Sequence, residues 1–143
     1  MKKPELLSPA GDMERLQMAL RYGADAVYLA GTQFGMRGGV ENFTLDELSE
    51  AVRLCHAAGV RVHVTVNTLP RMDELPALPD YLRHLEAIGV DALIIADMGV
   101  LRLAKRWAPT PEKHISTQAG IVNAESALGW MELGVKRVVL ARE

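Results

Sequence analysis

The sequence predicts a parallel β-sheet wrapped by helices, arranged as part of a (β/α) barrel. Two observations predict it. The first is a phrase that recurs four times: an apolar helical stretch ends at Gly followed by Ala or Val, and a short apolar strand follows. The copies stop at Gly23, Gly59, Gly89 and Gly134 and lead into residues 26–29, 62–64, 92–95 and 138–140. Glycine stops a helix because it takes the left-handed cap conformation without a Cβ clash. Helices that repeatedly feed strands build a parallel sheet.

The second observation is the polarity of the strands. Val62, Val64 and Val66 fall on one face of the third predicted strand, and His63, Thr65 and Asn67 on the other. His114, Ser116 and Gln118 share a face of the fifth. Central strands of an open sheet lie under helices on both faces and read as continuous apolar runs. Polar sets at period two suit the lining of a barrel mouth, where they reach water, ligand and each other. The expected fold is therefore a partial (β/α)8, TIM-type barrel with about six strands and five helices. An open doubly wound parallel sheet is the alternative.

The elements follow in order. Strand one is expected at residues 5–8; Pro9, Ala10 and Gly11 then turn, and Asp12 caps a helix running to Tyr22. Strand two covers 26–30, and a long glycine-bearing loop runs from Gly31 to Phe43. Thr44 and Glu47 form a capping box for helix two. Strand three spans 61–67, and residues 68–79, with three prolines, read as loop before helix three. Strand four spans 92–96, with Asp97 placed to cap helix four. Strand five spans 114–118, Asn123 caps helix five, and strand six spans 137–141.

With 143 residues, 49% of them hydrophobic, the chain has enough apolar surface for a real core and is read as one domain, the N-terminal part of a larger barrel. A net charge of −2 gives no global field that would draw the chain to nucleic acid or an acidic membrane, though local basic patches stay open. A single cysteine, Cys55, allows neither an intrachain disulfide nor a cysteine cage, so no metal site and no cofactor are expected within this chain. The start Met1-Lys2-Lys3-Pro4-Glu5 lacks a signal-peptide apolar region, and no apolar run approaches the roughly 20 residues of a membrane helix. A cytoplasmic protein with no membrane partner is the expectation.

In a barrel the active site lies at the C-terminal ends of the strands. Those ends supply the candidate set. Asn67, Ser116, Gln118, Arg142 and Glu143 are the candidates for catalysis; Ser8, Gly11, Arg37, Thr65 and Asp97 are the candidates for substrate binding. Convergent polar groups in a concave site are what recognition requires. Asn67, Gln118 and Arg142 are expected to share one cavity, with Arg142 as an anion clamp. Arg142 and Glu143, being adjacent, should point to opposite sides. Arg37 adds charge to a loop whose glycines let backbone donors approach an anion. His63 and His114 lie early in their strands and read better as core histidines. Ser116 has no Gly-x-Ser-x-Gly elbow, and no His-Glu-x-x-His helix is present, so no hydrolytic motif appears.

The ordered motifs together resemble a known family. Glu5-Leu6-Leu7-Ser8-Pro9-Ala10-Gly11-Asp12 opens the chain, and Gly23-Ala24-Asp25-Ala26-Val27-Tyr28 and Asn42-Phe43-Thr44 follow. Val64-Thr65-Val66-Asn67-Thr68, Ser116-Thr117-Gln118 and Arg137-Val138-Val139-Leu140-Ala141-Arg142-Glu143 complete the set. These resemble the N-terminal part of the collagenase-like peptidases, peptidase family U32. The resemblance implies a protein filed among peptidases without a known catalytic type. It also implies the alternative seen in several members: oxygen-independent hydroxylases, or their partners, acting on tRNA, ribosomal RNA or a small aromatic substrate. Those members use an iron–sulfur cluster whose cysteines follow the arginine–glutamate strand end, so the cluster is expected in the full-length parent. A non-catalytic scaffold is the third reading. Peptide, RNA and a small aromatic acid are thus the substrate classes in view. This chain alone is expected to be inactive and to self-associate through the open barrel edge.

Overall fold

The computed structural model describes residues 3–36 and 42–143. Six strands, β1 (Leu7–Pro9), β2 (Ala26–Ala30), β3 (Arg61–Val66), β4 (Ala92–Ile95), β5 (Glu112–Ile115) and β6 (Arg137–Val138), form one sheet. Five helices, α1 (Met13–Arg21), α2 (Leu45–Ala57), α3 (Leu78–Ile88), α4 (Met98–Trp107) and α5 (Ala124–Glu132), connect them. Every neighbouring pair is parallel, and the spatial order is the chain order from β1 to β6. A doubly wound sheet would reverse its order partway across, so that alternative is set aside.

The sheet is curled. Glu5, just before β1, accepts from Arg137 Nη1 of β6 at 2.7 Å and also pairs with Arg61 of β3. In a flat sheet of six strands the two edges would stand about 24 Å apart. The fold is a partial (β/α) barrel.

Local chemistry sets the helix starts. Asp12, Asp97 and Asn123 accept from the backbone N–H groups of Arg15, Val100 and Ser126 at 2.7–2.9 Å. Thr44 and Glu47 satisfy each other's backbone donors in a capping box. All four repeat glycines take positive φ, from 71° at Gly59 to 85° at Gly134, where a Cβ would be strained. The core lies between the sheet and its helices: Val27, Leu29, Val62, Val64, Leu93, Ile95 and Ile115 meet Leu16, Leu48, Leu82, Leu85 and Leu101.

Beyond one-residue differences at the ends of α1, β3 and β4, four boundaries differ from the sequence reading. β1 starts two residues later than expected. α3 begins at Leu78, inside the stretch read as loop, because Pro79 falls in its first turn, where a missing N–H costs nothing. β5 covers 112–115, and Thr117–Ala119 form a 3-10 turn capped by Ser116 and closed by left-handed Gly120. β6 ends at Val138, and residues 139–143 lie beyond it. No helix of the described residues is long and apolar enough to cross a membrane.

Candidate functional site: a neutral cavity at the strand ends

A cavity of about 370 Å³ opens at the C-terminal ends of the strands. Period two on β2 sends Ala26, Tyr28 and Ala30 inward while Val27 and Leu29 pack on the helices. Tyr28 therefore presents its ring to the cavity, which Thr65 from β3 and Ile94 from β4 also line. Leu7 and Pro9 of β1 line the near wall, and Gly11 follows in the turn.

Asn67, the first residue past β3, ties three segments together. Its Oδ1 accepts from the Met36 N–H at 3.2 Å, and its Nδ2 donates to Ser116 Oγ at 3.4 Å. Ser116 Oγ also accepts from the Gln118 N–H at 3.3 Å, and the Ser116 N–H donates to Ile95 O at 2.7 Å. The loop after β2, the end of β3 and the turn after β5 thus meet at one amide.

The loop after β2 is pinned at both ends. Thr32 N–H donates to Phe43 O and Phe43 N–H to Ala30 O, both at 3.0 Å. Buried Tyr81 of α3 packs beneath it, its ring 5.4 Å from that of Phe34. Gly31 has to be glycine here, since a Cβ would collide with the Tyr81 hydroxyl.

The structure brings together Gly11, Thr65, Asn67, Ser116 and Gln118 at the cavity. It does not bring in the other candidates. Ser8 sits between Leu7 and Pro9, so the strand's alternation turns it to the opposite face. Asp97 spends its carboxylate on the α4 cap. Arg142 and Glu143 are exposed and lie past the end of β6, which removes the expected pairing of Arg142 with Asn67 and Gln118 in one cavity. Gln118 and Ser116 reach the cavity from a turn and not from one strand face. Arg37 falls outside the described residues. Sequence reasoning did not single out Tyr28, Asn42 or Val139 as lining residues; Thr117, which it placed at the end of strand five, also lines the cavity. The alternation of β2 carried the signal for Tyr28.

No charged side chain lines the cavity among the described residues. Its polar groups are amides and hydroxyls, which both donate and accept, beside one phenol ring. Ser116 has no imidazole partner: His114 turns its Nε2 to the Glu112 carboxylate at 2.9 Å.

Beneath the cavity lies a buried histidine pair. His63 and His114 are each 1% exposed, and their rings meet edge to face at 4.9 Å. Neither nitrogen of His63 has a hydrogen-bond partner. Burial, helped by the nearby charges of His114, Arg137 and Arg61, pushes its pKa down to about 4. Burial also lowers His114, although its bond to Glu112 opposes the shift.

Cys55 is buried on the inner face of α2, and desolvation raises its thiol to about 11. A cluster ligand must be a thiolate. Cys55 does not fit that role, and the described residues hold no group of three His, Cys, Asp or Glu side chains placed to bind a metal.

A partial parallel barrel with a ligand-sized cavity at its strand ends, largely apolar and set with a few amides and hydroxyls, defines the class of this molecule. The chain belongs to peptidase family U32, whose profile matches residues 11–143. It is 42% identical to tRNA hydroxylation protein P1 of Bacillus subtilis over 99% of its own length and 34% of that protein's. It is also 42% identical to the 23S rRNA 5-hydroxycytidine C2501 synthase of Escherichia coli, over 97% of this chain and 21% of that one. The solved structure of the U32 peptidase Mk0906 superposes with a TM-score of 0.78 at 16% identity, over 98% of this chain and 60% of that one. The chain thus spans about a third or less of these two curated relatives.

Proposed function

We propose that this chain is a barrel segment of a protein that takes part in the hydroxylation of RNA, with tRNA as the first substrate class and ribosomal RNA as the second. The observation that carries this reading is the 42% identity to a tRNA hydroxylation protein across almost the whole chain. The cavity supports it. Its volume accommodates an unpaired nucleobase, its amides and hydroxyls match the donors and acceptors of a base edge, and Tyr28 offers a ring for stacking. An uncharged lining suits an uncharged base.

Proteolysis finds less support. The family name is its only source, and Ser116 has neither a base nor an orienting acid within hydrogen-bond reach among the described residues. In the hydroxylase reading, an iron–sulfur cluster would draw its thiolates from the remainder of the parent and supply the redox chemistry. The residues of this chain would seat and orient the base. A cytoplasmic location follows from an RNA substrate. The apolar flanks of the two edges, Met18 and Tyr22 by β1 and Leu128, Met131 and Leu140 by β6, are read as the surfaces through which the isolated chain self-associates. Light scattering measures that association directly.

Deleting the gene and quantifying modified nucleosides by mass spectrometry tests the function. A hydroxylated nucleoside should disappear from tRNA digests, with 23S rRNA as the second place to look. Unchanged nucleosides in both, with loss of gelatin-degrading activity, would return the protein to the peptidases.

A further inference from the structure

Helix α4 differs in charge from the other helices. It carries Arg102, Lys105 and Arg106 and no acidic residue, whereas α1, α2, α3 and α5 each contain at least one. In a chain of net charge −2 this is a local excess of cations. Lys136, just before β6, extends it: Lys105, Lys113 and Lys136 line one hollow of about 240 Å³, with Thr110 and Glu112.

The cations divide by what they touch. Lys113 is buried, and its ammonium donates to the carbonyls of Ala108, Pro109 and Pro111. Lys105 donates to Leu133 O at 2.7 Å and so caps the end of α5. Glu112 is engaged with His114. Arg102, Arg106 and Lys136 remain: all are exposed, and none of their side chains has a hydrogen bond or ion pair among the described residues, Arg106 only stacking on its neighbour Trp107. The helix dipole accounts for Arg106 in the last turn but not for Arg102 in the middle of α4 or for Lys136 outside it. Arg102 and Arg106 are four residues apart, about 6 Å along the axis, and project from one side of the helix. Beside them Trp107 is half-buried, with Arg83 and Arg106 guanidinium carbons 4.0 and 4.8 Å from its ring centre.

We infer that Arg102, Arg106 and Lys136 form a contact surface for the phosphate backbone of RNA, on the outer wall of the barrel away from the cavity. The inference rests on the RNA reading above and adds a second surface to it. Unpaired cations at one-turn spacing beside an arginine-stacked aromatic are the composition of a nucleic-acid footprint. Backbone contacts of this kind position a substrate and carry no sequence information, while the cavity reads the base.

The test is fluorescence anisotropy of labelled tRNA with the full-length protein across a salt series. The variant Arg102→Glu/Arg106→Glu/Lys136→Glu should bind roughly tenfold more weakly near 0.15 M salt, and its plot of log K against log salt should be shallower by about two. Arg21→Glu, at an exposed position of α1, should stay within about twofold of wild type. If circular dichroism shows the reversed variant unfolded, the glutamine triple substitution reads the same two quantities. Equal affinity and equal slope in the triple variant would overturn the surface while leaving the RNA reading intact, as would an equal loss in Arg21→Glu. A wild-type protein that binds no tRNA at any salt would bring down both.

Discussion

Between pH 6.5 and pH 4 the fold should lose on the order of 3 kcal/mol through His63 alone. In the unfolded chain His63 takes up a proton near its ordinary value of 6.5, whereas in the folded barrel it resists until about pH 4. Across that interval the unfolded state binds more protons, so stability falls as pH falls and levels off below pH 4. His114 shifts in the same direction. The cause is the unpartnered, 1%-exposed ring of His63, which has no acceptor for a second proton and faces the positive charges of Arg61 and Arg137. Asp25 and Glu47, held below the usual carboxylate range by the backbone N–H groups of Leu6 and Thr44, add acid sensitivity of their own. The His63 contribution is therefore the difference between wild type and His63→Leu in urea titrations at pH 7 and pH 4.5. The variant should lose much less stability on acidification; parallel losses would contradict this assignment.

Replacing Glu5 by Ala should cost about 2 kcal/mol, less than the 3–5 typical of fully buried pairs because its arginine partners are partly solvated. The Glu5 side chain is 20% exposed and pairs with Arg61 and Arg137, the latter 132 residues away in sequence. It holds the first strand against the sixth across the barrel floor, and among the described residues no other side-chain hydrogen bond or ion pair joins those two segments. Without it, the two guanidinium groups lose the carboxylate that pairs with both, and Glu112, already bonded to His114, offsets their charge only in part. The acid sensitivity of His63 should then increase, since both arginines already disfavour its protonation. Thermal denaturation of Glu5→Ala and Glu5→Gln measures the effect, with Gln expected between Ala and wild type. A change under about 0.5 kcal/mol, the range of ordinary surface substitutions, would mean that the floor pairs do not close the sheet.

Much of the barrel is readable in the residues. The glycine stops, the caps at Asp12, Thr44, Asp97 and Asn123, and the alternation of β3 are local signals, and local signals fix where elements begin and which way they face. The curl of the sheet is not local: it depends on Glu5 meeting Arg137, a contact that no window of sequence reveals. The site was legible in part for the same reason. Thr65 and Asn67 follow from a strand with strong alternation. Ser116 and Gln118 also reach the cavity, but through a 3-10 turn that the polar-apolar rhythm of residues 114–118 disguises as strand. Ser8 was chosen as the last residue of a strand expected at 5–8, with no face assigned to it; β1 runs to Pro9, and Leu7 and Pro9 take the cavity face. Arg142 was placed at a strand end that lies four residues earlier, at Val138.

The central claim is that the cavity at the strand ends serves RNA hydroxylation. Its most direct test is nucleoside mass spectrometry on tRNA and 23S rRNA from a deletion strain re-supplied with the full-length protein, either wild type or Asn67→Leu/Gln118→Leu. Leucine approximates the branched outline of asparagine and the reach of glutamine with apolar atoms, and so removes the amide that joins the loop, β3 and Ser116, and the second amide at the cavity wall. Misplacing a bound group by about 1 Å can lower a rate 10²-fold. The account predicts that wild type restores the hydroxylated nucleoside, while the double variant, accumulating to the same level, restores a few per cent of it or less. Full restoration by the double variant would contradict it.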